Sequence, residues 1–371
     1  MRTGGVFRCM SVGSGATDRS IWRVRPPLFS AFSREGPPMT SRRHLVLGSA
    51  LLPWIAALPA RAQAAPTRLL LGFPPGGTVD QISRHLSARL GEGVRVEARV
   101  GGGGRHAVEE LMKAPADGST LLLTPMSMVT LYPHLYPQLG YGAADPVPVA
   151  ALASLGFALG VGPAVPASVR TLADLVGWVR AGGSSLPGYG TPGPGTPPHF
   201  IGALFERGAQ CTLPHVAYRG AAPAMRDLLG GQLAVYIGPE GDFLPHLAAG
   251  GGAVRVLAVA GERRSRFLPE VPTFAEQGHG AAGLDRRELY ALFLPRQARP
   301  ELAQQIAARA RAVLAEPATA ALLAEPATAA LLARLGLQEA AGGPAELGEV
   351  VRVDHAAWGP IVSRVGFTPE S

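Results

Sequence analysis

Two rhythms alternate along this chain. Compact apolar runs of strand length occupy residues 68–73, 119–124, 147–153, 157–161, 211–216, 233–237, 254–260 and 289–294. Between them, apolar residues recur at three- and four-residue intervals. Examples are Val79, Ile82, Leu86 and Leu90; Leu172, Leu175, Val176 and Val179; and Phe200, Ile201, Leu204 and Phe205. That spacing collects them on one face of a helix. Val94, Val96, Ala98 and Val100 alternate singly, the period of a half-buried strand. From Pro300 the chain is rich in Ala, Leu and Arg and reads as helical to about Val365. Strand and helix in alternation predict an α/β protein with mainly parallel sheets.

Glycine marks the places where one rhythm gives way to the other. Pro74-Pro75-Gly76-Gly77 separates the first strand from the first helix. Its prolines stiffen the turn, and its glycines permit positive φ and close approach of another group. The first amides of a helix have no partner within it, and the helix dipole favours negative charge there. Residues 72–80 therefore read as a site for a small anion, most naturally a carboxylate held by Gly76, Gly77 and Thr78. Residues 101–104, four glycines, open a second helix. A third turn, residues 189–199, opens another, with Thr196 as N-cap and Pro197 in the first helical position.

Composition changes this picture little. The chain has 371 residues, enough for two domains, with 47% apolar and 16% charged residues. Its formal charge of +7 comes from residues 1–62, which hold nine Arg against one Asp and one Glu; the remaining 309 residues carry 25 basic and 25 acidic groups. The body is neutral, and nucleic-acid binding gains no support. Residues 1–38 read as a disordered leader or as text upstream of the true start at Met39. Residues 39–62 have a charged start with Arg42-Arg43, a 14-residue apolar stretch broken by Pro53, and Ala60-Arg61-Ala62. That is the pattern of a twin-arginine export signal cleaved after Ala62, and it is shorter than the roughly 20 residues of a membrane span. The expected location is the periplasm.

Catalytic and metal signatures are absent from the text. There is no G-x-S-x-G, H-E-x-x-H, C-x-x-C or P-loop G-K-[ST]. Cys211 is the body's lone cysteine and reads as a small buried hydrophobe. The expectation is a non-enzyme with no cofactor and no metal. Residues 315–323 recur at once as 324–332, AEPATAALL twice over. One repeat of nine residues is too little for a solenoid and reads as a tandem duplication without functional role.

Several segments resemble one family, the substrate-binding proteins of tripartite tricarboxylate transporters, also called the Bug family of periplasmic solute receptors. They are GFPPGGTVD (72–80), DGSTLL (117–122), HVAYRGAAPAMRDLLGGQ (215–232) and LAVAGERRSRFLPEVPTFAEQG (257–278). The resemblance implies a two-lobed, type II-like binding-protein fold with two crossovers. One lobe would comprise residues 66–162 and 289–371, the other residues 163–288, with a small carboxylated solute between them. It further implies delivery to the membrane permease subunits of a tripartite transporter. The mature protein is expected to be monomeric. A periplasmic sensor component serving a membrane receptor kinase is a different function that the same fold would serve, and an exported hydrolase is a remote third.

By this resemblance the solute would meet Pro75, Gly76, Gly77, Thr78 and Asp80 at the first turn. Met126, Ser127 and Met128 would form a wall in the first lobe, and Thr191, Gly195, Thr196 and His199 would face it from the second. Each has a plainer alternative: Thr78 as an N-cap, Asp80 as a dipole partner, the methionines as loop packing, His199 as a structural histidine. Arg219 suits an inter-lobe or surface ion pair better than a carboxylate clamp.

Overall fold

The computed structural model describes residues 67–369 apart from residues 77, 91–92, 183–187, 249–251, 316–334 and 341, all within the compact unit Arg61–Ser371. The leader, the export signal, Gly77 and nearly all of the duplicated segment lie outside the described residues.

The chain runs β1 (Arg68–Leu71), α1 (Thr78–Leu90), β2 (Arg95–Ala98), α2 (Arg105–Lys113), β3 (Thr120–Pro125), the single turn α3 (Ser127–Thr130) and β4 (Val147–Leu155). Then follow β5 (Phe157–Val161), α4 (Leu172–Arg180), β6 (Tyr189–Thr191), α5 (Pro197–Ala209), β7 (His215–Ala217), α6 (Ala221–Leu229), β8 (Val235–Pro239), α7 (Leu244–Ala248) and β9 (Arg255–Val259). The last part is β10 (Glu288–Leu294), α8 (Pro300–Ala315), β11 (Leu337–Glu339) and α9 (Pro344–Val365).

Two sheets result. The first has the order β11-β4-β10-β3-β1-β2 and the second β7-β6-β8-β5-β9. Parallel pairing is confined to β1 with β2 and β3, and to β6 with β7 and β8; the other pairs, β10 with β3 and β4, β11 with β4, and β5 with β8 and β9, are antiparallel. The sheets are thus mixed, not mainly parallel. The reason lies in the crossings. Only Gly156 separates β4 from β5, so no helix turns the chain between them, and β10 re-enters the first sheet antiparallel to both its neighbours.

That arrangement corrects the expected boundary at 162/163. β5 belongs to the second sheet, so the outward crossing is Gly156; the return crossing runs through Asp285-Arg286-Arg287. Two expected elements also change. Residues 211–214 are coil and the strand begins at His215, with Pro214 interrupting the apolar run. The helical reading of 300–365 is broken by β11, three residues bounded by Gly336 and Gly342-Gly343 that pair with β4.

Leu69, Leu70 and Leu71, Leu121–Leu123 and the apolar residues of β10 are all buried, which places β1, β3 and β10 at the centre of the first core. Each fully buried leucine contributes about 1.5–3 kcal/mol. Near the carboxyl end of β1 the backbone is too close for side chains: a Cβ on Gly72 would fall 2.6 Å from Gly104 Cα. Two of the glycine turns read from the sequence therefore pack directly on each other. Among the described residues, no helix is long and apolar enough to cross a membrane.

Candidate functional site

In α/β sheets ligands bind beyond the carboxyl ends of parallel strands. The first lobe brings β1 and β3 to one such edge, where their register pairs Leu70 with Leu122. From it start the turn 72–76, α1 and α3. Pro75 and Gly76 are exposed and Thr78 is half-buried as the first residue of α1. Gly76 has φ +88°, a conformation glycine supplies without strain.

The Gly76 N–H does not stand open as expected. It donates to Asp80 Oδ2 at 2.9 Å, and Arg84 Nε donates to the same oxygen at 3.0 Å. The Arg84 guanidinium, chiefly, holds Asp80 below the usual carboxylate range, so it is ionised. Asp80 therefore caps the turn, while its Oδ1, buried, has no protein partner. The amides that open α1, from Thr78 and Val79, have no partner within the helix and are the donors a helix start offers an anion.

The wall of α3 is also different in detail. Met126 and Met128 are buried, and Met128 Sδ lies 3.1 Å from where a Gly104 Cβ would be, beside Phe73. Met128 is core packing, not an open wall. Ser127 N–H donates to Glu288 Oε1 at 3.2 Å and its hydroxyl also serves that carboxyl, while Thr124 Oγ1 is buried without a partner. Asp354, on α9, underpins this loop. It accepts from Thr130 Oγ1 at 2.6 Å, Trp358 Nε1 at 2.9 Å and Arg286 Nη1 at 2.6 Å. It thereby ties α3, α9 and the return crossing together. Nothing in the sequence pattern marked Asp354 or Glu288, because Arg286 and Thr130, which bond Asp354, and Ser127, which bonds Glu288, are 68–224 residues away in the chain.

In the second lobe, Thr191, Gly195, Thr196 and His199 come together as expected, at the carboxyl end of β6. Their polar atoms, however, serve one another. Thr191 Oγ1 donates to Gly193 O at 3.1 Å, and Thr196 Oγ1 donates to the same carbonyl at 2.7 Å. With its proton so committed, Thr191 Oγ1 accepts from His215 Nε2 at 2.7 Å. Gly195 N–H donates to His199 Nδ1 at 3.1 Å, which fixes that ring nitrogen as an acceptor. The two imidazoles stack at 3.9 Å with a 15° tilt, and Phe367 stands edge-on to His199 at 4.5 Å. Burial pushes His199 down to about 3, with His215 adding to the effect, and burial pushes His215 down to about 4. Both rings are neutral at pH 7. A Cβ on Gly195 would lie 3.2 Å from Leu135 Cδ1 and 3.3 Å from Phe367 Cε1, so this loop abuts the first lobe. Arg219 makes no ion pair among the described residues and is exposed. His215, Tyr189 and Phe367 went unread as partners of His199, since only the fold brings them to it.

The crossings carry a buried charged cluster. Glu240 Oε2 accepts from Ser265 Oγ, and its Oε1 sits where a Cβ on Gly156 would be, with Arg287 Nη1 beside it. Burial raises Glu240, and burial raises Glu288 to about 7. Among the described residues no group of three or more His, Cys, Asp or Glu could hold a metal.

Two sheets linked by two short crossings, with glycine-rich helix starts at the carboxyl ends of strands in each, define a two-lobed solute receptor. The chain belongs to the family described as the tripartite tricarboxylate transporter family receptor, whose model matches residues 79–366. Among its relatives is a Pseudomonas sp. protein described as a UPF0065 protein in the tcbD-tcbE intergenic region, 31% identical over 86% of this chain and 94% of that one. Another is BugT of Bordetella pertussis, 31% identical over 58% of this chain and 67% of that one. The solved structure of R. palustris Rpa4515 with adipate is 26% identical and superposes with a TM-score of 0.70 over 82% of this chain and 98% of that one. The periplasmic binding protein BugD, 22% identical with a TM-score of 0.69 over 82% and 99%, shares the fold. This is a family of binding proteins.

Proposed function

We propose that this chain is an exported periplasmic receptor, its signal removed near Ala62, that takes a small carboxylate between its lobes. It hands the solute unchanged to the permease of a tripartite tricarboxylate-type transporter and catalyses nothing. The observation that carries this reading is the first-lobe edge where α1 starts: its first residues, Thr78 and Val79, keep their N–H groups, and Asp80 Oδ1 and Thr124 Oγ1 are buried without partners. The helix dipole and amides suit an acid group, and the unpartnered oxygens suit a solute hydroxyl or a bridging water. The adipate complex of Rpa4515 supports the same ligand class.

Native mass spectrometry of protein isolated from the periplasm tests this. The expected result is a retained organic acid, released intact on denaturation. A retained sugar, metal or nucleotide, or an acid converted on incubation, would overturn it. Co-purification with a permease rather than with a receptor kinase separates transport from sensing.

A further inference from the structure

The helix starts of the two lobes are not equivalent. A helix opens with four amides that lack an internal partner. At α5 these belong to Thr196, Pro197, Pro198 and His199. The two prolines have no N–H. His199 N–H is bonded to Thr196 O at 2.9 Å, and the preceding amide, of Gly195, is taken by His199 Nδ1. Both loop hydroxyls donate to Gly193 O. Of these donors, only the Thr196 N–H is left. A second, independent observation agrees. Thr124 leaves a buried hydroxyl without a partner on the first lobe, whereas no described residue of 189–199, nor His215, leaves a buried polar atom so on the second. What the second lobe offers in that place is a stack of two neutral imidazoles with Phe367 edge-on.

Resting on the carboxylate-receptor reading above, we infer that the solute is a monocarboxylate: the first lobe holds its acid group, and its other end, against His199, His215 and Phe367, is an uncharged hydrocarbon or aromatic group. A second carboxylate there would lose its water and find one amide where a buried carboxylate needs several donors. Arg219 is the rival cation, since it follows β7 and the adjacent Gly220 N–H bonds Pro192 O at 2.9 Å. It is exposed, and an ion pair made in water contributes little.

Isothermal titration calorimetry of the exported chain against three matched pairs tests the inference: hexanoate with adipate, butyrate with succinate, benzoate with terephthalate. In at least one pair the monocarboxylate should bind about tenfold more tightly or better, and in no pair should the dicarboxylate lead. Equal binding within every pair, or a dicarboxylate leading, overturns the inference and leaves the carboxylate receptor standing. If Arg219→Ala then abolishes the lead, the second acid group is held at the rim. Binding of none of the six acids overturns the receptor reading and the inference with it. Replacing Pro197→Ala and Pro198→Ala together restores two amides. Dicarboxylate affinity should rise about tenfold while monocarboxylate affinity stays within about threefold, whereas a merely structural disturbance would move both alike. The pairs are measured on the unaltered protein, so they decide the question whether or not the variant folds.

Discussion

α1 and α5 each begin where a glycine turn leaves a parallel strand, yet the chain has treated the two starts oppositely. α1 begins Thr78-Val79, with amides intact, and the nearby Asp80 carboxylate takes over the exposed Gly76 amide. α5 begins Pro197-Pro198, with His199 folded back onto Gly195. One start keeps donors for an anion and the other removes them. The same local architecture can therefore be a charge-binding end or an uncharged wall, and three residues decide which.

Four changes test that contrast. The largest effect should come from removing the support of the first-lobe wall. Asp354→Ala leaves Arg286, Thr130 and Trp358 without their shared acceptor and should cost about 3 kcal/mol in urea unfolding, with ligand affinity falling as α3 loosens. Unchanged stability would show that the network contributes nothing.

Next comes the uncharged wall. His199 and His215 titrate near 3 and 4 when folded and near 6.5 in the open chain. Below pH 6.5 the unfolded chain takes up protons that the folded one refuses, so stability falls as the medium is acidified. The pair should cost on the order of 3 kcal/mol by about pH 5.5. His199→Asn with His215→Gln keeps one acceptor and one donor and should flatten that slope; an equally steep slope would place its origin elsewhere.

Glu288, beneath the first-lobe wall, acts in the opposite direction. Its folded value of about 7 lies above the ordinary 4.5. The folded state is favoured below pH 4.5 and loses that advantage as pH rises to about 7, by roughly 3 kcal/mol. Glu288→Gln should therefore raise the melting temperature at pH 8 more than at pH 4.5. Equal shifts at both would exclude ionisation of Glu288 as the cause.

The smallest effect is the most specific. Thr78→Pro copies into α1 what Pro197 does in α5, at a position where proline suits a helix. It removes one amide, so binding of the solute should weaken about tenfold, with the fold intact by circular dichroism. Undiminished binding would show that the α1 amides do not hold the acid.

Much of the architecture was legible. Burial of Val79, Leu86 and Leu90, of Leu172, Leu175, Val176 and Val179, and of Phe200, Ile201, Leu204 and Phe205 follows directly from their helical spacing, and Pro197 sits where its fixed φ suits a first turn. The site was legible in location but not in use. Thr191 and Thr196 read as hydroxyl donors because hydroxyls donate; that both would donate to one carbonyl, Gly193 O, depends on a loop conformation no spacing encodes. Asp80 read as facing the solute, and one of its oxygens closes the turn instead. Strand direction failed for a similar reason. Helices between strands imply parallel neighbours, but Gly156 allows β4 and β5 to follow without one.

The sequence by itself determined the alternating elements, the three glycine turns, the family and the missing N–H groups of Pro197 and Pro198, because periodicity and covalent structure are local properties of the chain. Tertiary structure alone decided that His199 stacks on His215, that Asp354 holds α3 to the return crossing, and that Glu240 and Glu288 lie in the interior. Those outcomes depend on which distant groups share a water-poor space, where an unpaired charge or donor is costly enough to select its partner.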